Sequence, residues 1–194
     1  MSIKLGITGG IGSGKSMVSR LLKDMQVPVY LSDDEAKRLA NEDETIRRAL
    51  TLLVGPNVYH ADGTLNRQEL ANYLFANKTH ARQVNAIIHP RVKEDFLHWA
   101  GRQTAPVVAF ESAILFESGF RDAVDEVLMV YAPINVRLCR SIHRDKASEA
   151  AIRARILQQM DDEEKRKLAD REVINDGETP LLPQVEQLLR DLVS

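Results

Sequence analysis

Cysteine is nearly missing from this 194-residue chain, which carries one, Cys139. A single thiol closes no internal disulfide and forms no C-x-x-C site, and it suits a reducing compartment. Long hydrophobic runs are missing too. The longest, Val127 to Ala132, is far too short to span a bilayer. No apolar stretch of signal-peptide length opens the sequence, so a cytoplasmic location with no membrane partner is expected. Nor does charge of one sign prevail: 26 Lys and Arg stand against 28 Asp and Glu, a formal net charge of −2. That balance offers no global basic field to recruit nucleic acid, and none is expected as a partner. Hydrophobic residues at 44% and charged residues at 28% are ordinary for a globular domain that buries a full core. Internal repeats and low-complexity stretches are absent, and nothing in the sequence speaks to oligomeric state.

What is present starts at residue 9. Gly9 to Ser16 read Gly-Gly-Ile-Gly-Ser-Gly-Lys-Ser, a complete G-x-x-x-x-G-K-S/T phosphate-binding loop. With glycine near ~7% of residues, a chance match in a chain this long has odds of roughly one in a hundred. The flanks fit as well. Ile3 to Thr8 reads as a short buried strand, and Lys15 to Met25 as a helix with Val18, Leu21, Leu22 and Met25 on one face. In such a loop the backbone of Gly10, Ile11, Gly12, Ser13 and Gly14 forms a nest for phosphate oxygens, reinforced by the helix N-terminus. Lys15 is expected on the β- and γ-phosphates of ATP and the Ser16 hydroxyl on Mg²⁺.

Further strands are expected at Val27–Leu31, Val107–Phe110, Val127–Tyr131 and Glu172–Ile174, with a last helix entered after Pro183. Strands alternating with helices predict an α/β fold, a P-loop NTPase with a doubly wound, five-stranded parallel sheet, whose ligands gather at the strands' carboxyl ends. About 75 residues between the second and third strands are helical in pattern, too many for a simple crossover, and read as a helical insertion. Residues 137–171 hold ten of the 26 basic residues, about twice their share. A solvated helix pair is one reading; beside a phosphate loop, an arginine-bearing lid that excludes water is the better one. The expected layout is one unit: core about 1–35, 104–136 and 169–194, helical insertion about 36–103, and lid about 137–168.

A GTPase needs N-K-x-D and D-x-x-G motifs; Asn77-Lys78-Thr79-His80 lacks the aspartate and the second motif does not occur. A nucleic-acid motor would carry basic patches and paired acids after a hydrophobic strand, whereas the third strand ends in Glu111 alone. A small-molecule kinase needs only the loop, a metal-organising acid, a base and a lid. Asp33 and Asp34 directly follow the second strand, where a carboxylate could take the acceptor's proton, yet Ser32-Asp33-Asp34-Glu35 is also a good helix start. Glu111 suits either a carboxylate just outside the direct metal ligands or a solvated strand end. Proline in His89-Pro90 is expected to end one helix and start another. Arg67 and Arg91 are either solvated or phosphate-reading, and Arg140 and Arg144, one turn apart, are better placed to clamp a phosphoryl group. Cys139 is expected to be a packed small apolar residue.

Taken in order, Thr8 to Ser16, Asp33, Asp62-Gly63-Thr64-Leu65-Asn66-Arg67, His89-Pro90, Glu111 to Glu117, Arg140 to Asp145, Gln159, Ala169-Asp170 and Asn175-Asp176-Gly177 resemble the dephospho-CoA kinase family. The match runs from Leu5 to about Gly177. The resemblance implies ATP-dependent phosphorylation of the 3′-hydroxyl of dephospho-CoA, the last step of coenzyme A synthesis, with dephospho-CoA and ATP as partners. It implies Asp33 as base, Arg67, His89 and Arg91 near the acceptor in the helical insertion, Arg140 and Arg144 in the ATP lid, and Asn175 beside adenine. Three positions depart from the family pattern: Leu31 and Asn66 where aspartate is usual, and Ala113 where proline is. A kinase for another alcohol or a nucleoside monophosphate, and a nucleotide-dependent switch, remain the alternatives.

Overall fold

Apolar runs set the strands. The computed structural model describes residues 2–77 and 79–193, so Lys78 of the tetrad compared above lies outside the described residues. In chain order the elements are β1 (Ile3–Thr8), α1 (Lys15–Asp24), β2 (Val29–Leu31), α2 (Ser32–Glu42), α3 (Glu44–Val54), α4 (Arg67–Ala76) and α5 (His80–Gly101). There follow β3 (Val107–Glu111), β4 (Glu126–Tyr131), α6 (Ile134–Asp145), α7 (Glu149–Ile156), α8 (Asp162–Leu168), β5 (Arg171–Ile174) and α9 (Leu181–Val193). Among the described residues the strands form one five-stranded sheet in the order β2-β3-β1-β4-β5, every pair parallel. This is the expected doubly wound architecture. By their contacts the residues divide into two compact units: those up to Leu31 together with Trp99 onward, and Ser32–His98.

In the first unit both sheet faces are covered, as a parallel sheet requires. Leu5, Ile7, Val107, Ala109, Leu128, Val130 and Val173 share a core with Val18 and Leu22 of α1 and Val185, Leu188 and Leu192 of α9. Alternate residues serve the other face, where Phe110 packs on Phe120 at 4.8 Å and on Tyr30 at 5.8 Å between ring centres. Gly6 leaves room there for the Leu115 and Val124 side chains, which a Cβ would meet at 2.7 and 3.0 Å.

Several local expectations need correcting. β2 starts at Val29, not Val27: Pro28 offers no N–H, although its carbonyl accepts from Ala109 N at 2.8 Å. The charged stretch after β4 forms three helices rather than a pair. α9 begins at Leu181, so Pro183 sits in its first turn, where the missing N–H costs nothing. Cys139 is exposed, because the inward face of α6 runs through Arg137, Leu138 and Ser141.

In the second unit, α5 runs unbroken past His89-Pro90. Val84, Val92 and Phe96, on either side of the proline, are all buried. Such packing outweighs the ~3 kcal/mol that an interior proline costs. Asp43 caps α3 by accepting from Ile46 N at 3.0 Å, and Asn66 caps α4 by accepting from Glu69 N at 3.2 Å. The Asp62-Gly63 turn is held by Arg47, whose guanidinium donates to Gly63 O at 2.5 Å and lies 4.6 Å from the Tyr59 ring centre.

Candidate active site

β1, the central strand, delivers the chain to the phosphate loop at the carboxyl end of the sheet. Gly12 and Gly14 are there for geometry. Gly14 caps α1 at φ 93°, and the Asn175 side-chain amide stands where its Cβ would be. Gly12 has φ 81°, with Ser141 Oγ 2.5 Å from the position of a Cβ. Any other residue would be strained at both. Within the loop Ser13 N donates to Gly10 O at 3.1 Å, and the Asn175 amide donates to Ser13 O at 2.8 Å. Lys15 Nζ lies over the loop's first carbonyls, donating to Gly9 O at 2.9 Å and Gly10 O at 3.4 Å. The opening amides of α1 have no intrahelical acceptors and carry the positive end of the helix dipole, which makes the turn an anion site.

Ser16 is exposed in the first turn of α1. One turn later, Ser19 Oγ donates to Glu111 Oε2 at 2.5 Å, fixing that carboxylate at the end of β3. A hydroxyl with a nearby oriented carboxylate is the oxygen donor set that Mg²⁺ accepts alongside nucleotide phosphates. Among the described residues no group of three or more His, Cys, Asp and Glu side chains is placed to hold a metal by itself.

Residues of α6 and of the start of α8 lie against the loop. Arg140 Nη1 donates to Asn175 O at 2.8 Å, which joins two expected nucleotide residues to the loop's wall. Arg144 does not share that partner: its Nε donates to Asp145 at 2.7 Å, and Arg155 reaches the same carboxylate at 2.6 Å. These two guanidinium groups pull Asp145 down to about 2. Arg137 is buried and donates from Nε to Ile11 O at 2.9 Å, while its Nη1 pairs with Asp162. Burial pushes the Asp162 carboxyl up, against the charges of Arg137, Lys165 and Lys15. Lys165 is fully buried, donating to Ala113 O at 2.8 Å and pairing with Glu117 at 3.0 Å.

Within the helical unit, Asp33 is exposed in the first turn of α2. The structure brings it near His89: burial lowers the His89 imidazole below its ordinary value, and the Asp33 charge opposes that. Arg91 is held by Asp43, with Nη2 at 2.8 Å and Nε at 2.9 Å from Oδ2, and also by Glu94. Arg67 is exposed as the first residue of α4.

Sequence reasoning overlooked Arg137 and Asp162 as neighbours of the loop. No motif contains them, and 25 positions separate them along the chain. The one available signal was Arg137 three residues before Arg140, on the same helical face.

Comparison with known proteins completes the picture. The dephospho-CoA kinase family profile matches residues 3–180. A dephospho-CoA kinase of Bacteroides fragilis is 54% identical over 190 residues, covering 97% of this chain and 92% of the relative. A crystal structure from Thermus thermophilus superposes with a TM-score of 0.79 at 34% identity, covering 99% of this chain and 96% of that one. The dephospho-CoA kinase from Campylobacter jejuni shares the fold, with a TM-score of 0.73 at 22% identity over 100% of this chain and 98% of that one. With its glycine loop at the head of the central strand and a profile match over nearly its full length, the chain belongs to the dephospho-CoA kinase family.

Proposed function

We propose that this enzyme transfers the γ-phosphoryl group of ATP to the 3′-hydroxyl of dephospho-CoA, giving coenzyme A and ADP, with Asp33 as the base. The observation that carries the proposal is the loop itself, a strand–glycine turn–helix with Lys15 over its carbonyls, in a chain of the dephospho-CoA kinase family. The acceptor's 3′-oxygen attacks the γ-phosphorus in line. The bond from that phosphorus to the β,γ-bridging oxygen breaks, and the hydroxyl proton passes to the Asp33 carboxylate.

The loop of Gly10, Ile11, Gly12, Ser13 and Gly14 receives the phosphates through those of its amides that no side chain engages, and Lys15 balances charge on the transferring group. Ser16 would hold Mg²⁺, with Glu111 oriented by Ser19 just outside the direct ligands; the ion supplies charge neutralisation on the phosphates. Arg140 and Arg144 serve the nucleotide from residues 137–168, which act as a lid that excludes water, and Asn175 lies beside adenine. Residues 36–103 form the acceptor-binding part, in which Arg67, His89 and Arg91 read the acceptor's phosphates and ribose. The substrates are small molecules, and the reaction runs in the cytoplasm without nucleic acid. Among the described residues no helix is long and apolar enough to cross a membrane.

An acceptor analogue tests the chemistry. Dephospho-CoA should yield coenzyme A and ADP, while its 3′-deoxy analogue should yield neither. ADP release with the deoxy analogue at the same rate would overturn the assignment of the accepting oxygen.

A further inference from the structure

The tip of the phosphate loop is gripped from outside by residues that the loop motif does not include. Ile11, the third residue of the loop, has both backbone polar groups engaged. Its N–H donates to Gln159 Oε1 at 3.1 Å, and its carbonyl accepts from Arg137 Nε at 2.9 Å. Arg137 is paired in turn with Asp162, and both side chains are almost fully buried, at 6% and 10% exposure. Asp162 Oδ1 lies only 2.6 Å from where a Cβ on Gly10 would be, and Arg137 fills the rest of that space. Gly10 is therefore glycine because this pair occupies its side-chain position.

Planarity turns the grip into a directional constraint. In a trans peptide the C=O and N–H point opposite ways. Holding the Ile11 carbonyl on Arg137 aims the Gly12 N–H away from Arg137. Holding the Ile11 N–H on Gln159 aims the Gly10 carbonyl away from Gln159, where it accepts from Ser13 N at 3.1 Å and Lys15 Nζ at 3.4 Å. Two side chains outside the motif thus set the direction of a loop amide and of a carbonyl that holds the loop lysine. Gln159 and Asp162 both belong to the stretch that joins α7 to the start of α8. A cavity of about 330 Å³ is lined by Ile134 and Arg137 of α6 and by Leu157, Gln159, Met160 and Asp162.

We propose that Arg137, Gln159 and Asp162 form a latch that fixes the peptide groups around Ile11, making Arg137 and Gln159 positioning residues for phosphoryl transfer. The inference rests on the ATP-dependent kinase reading. Arginine is required because one planar fork must serve Ile11 from Nε and Asp162 from Nη1, which a lysine cannot do.

The test uses the full chain with two changes, Gln159→Leu and the double substitution Arg137→Met with Asp162→Leu. Replacing a buried ion pair by apolar residues is often neutral for stability, so the double variant should melt within about 4 °C of wild type. A purely structural pair would then leave catalysis intact. The latch instead predicts that both variants bind MgATP about tenfold more weakly and lose about tenfold or more in kcat. The KM for dephospho-CoA should stay within about twofold in both. Wild-type MgATP affinity and kcat in both stably folded variants would overturn the proposal. MgATP affinity is measured calorimetrically without acceptor. A wild-type enzyme that binds MgATP but does not turn over dephospho-CoA would sink the acceptor assignment, and the affinities would still decide the latch.

Discussion

The phosphate loop and the helical unit of residues 32–98 solve positioning in opposite ways. Around the loop, the proposed phosphate-binding groups are backbone ones, and buried or half-buried side chains hold that backbone: Asn175 on Ser13, Arg137 and Gln159 on Ile11. In the helical unit, the proposed base and acceptor-reading groups are charged side chains at exposed or partly exposed positions: Asp33 and Arg67 are exposed, and Arg91 is tethered to Asp43. Among the described residues α4 has no fully buried side chain at all. A preorganised backbone nest tolerates little change, whereas a set of exposed side chains allows residue-by-residue tuning. The contrast teaches where single substitutions will be fatal and where they will be graded.

Removing the loop's lysine charge should have the largest effect. Lys15→Ala is expected to lower kcat by about 10³-fold while the far-ultraviolet circular dichroism stays unchanged. Steady-state assay with MgATP and dephospho-CoA reads it, and near-normal kcat would remove the loop from catalysis. Asp33→Asn comes next, with kcat lower by about 10²-fold and MgATP affinity unchanged by calorimetry. Unchanged turnover there would reduce Asp33 to a residue of the α2 first turn.

Smaller effects sharpen the helical side. Burial alone would raise the Asp43 carboxyl, but Ile46 N–H and Arg91 hold it below the ordinary carboxylate value. Asp43→Ala removes this helix cap and should cost about 1–2 kcal/mol in denaturant unfolding. The smallest effect concerns His89, whose imidazole sits below its ordinary value of 6.5 in the folded chain because of burial. The unfolded chain therefore binds more protons in the interval between the two values. The stabilisation is complete above the unfolded value and is lost as pH falls through the lowered folded one. Stability should decline on acidification through that window, and less so in His89→Gln. Because the Asp33 charge partly offsets the burial, Asp33→Asn should move the His89 titration lower still, as followed by NMR.

Much of the loop side was legible in the sequence. A contiguous eight-residue motif with apolar flanks encodes both the turn and its neighbours, and strands buried on both faces announce themselves as apolar runs such as Val107–Phe110. The loop's supports were not legible, since Arg137 and Asp162 meet only through the fold. Local propensity misled where packing decided otherwise. Pro90 reads as a helix breaker, but buried Val84, Val92 and Phe96 keep α5 continuous. Cys139 reads as a small packed residue, yet its angle on α6 turns it outward. For the helical unit the sequence left Asp33, Arg67 and Arg91 with alternative readings that only the family resemblance narrowed, because exposed charges at scattered positions leave no periodic signature.

ADP release by the purified protein with MgATP, with and without dephospho-CoA and with coenzyme A quantified alongside, tests the central claim most directly. Strong stimulation by the acceptor is expected, with one coenzyme A formed per ADP released. Equal ADP release in both conditions, with no coenzyme A, would contradict it and favour a nucleotide-dependent switch.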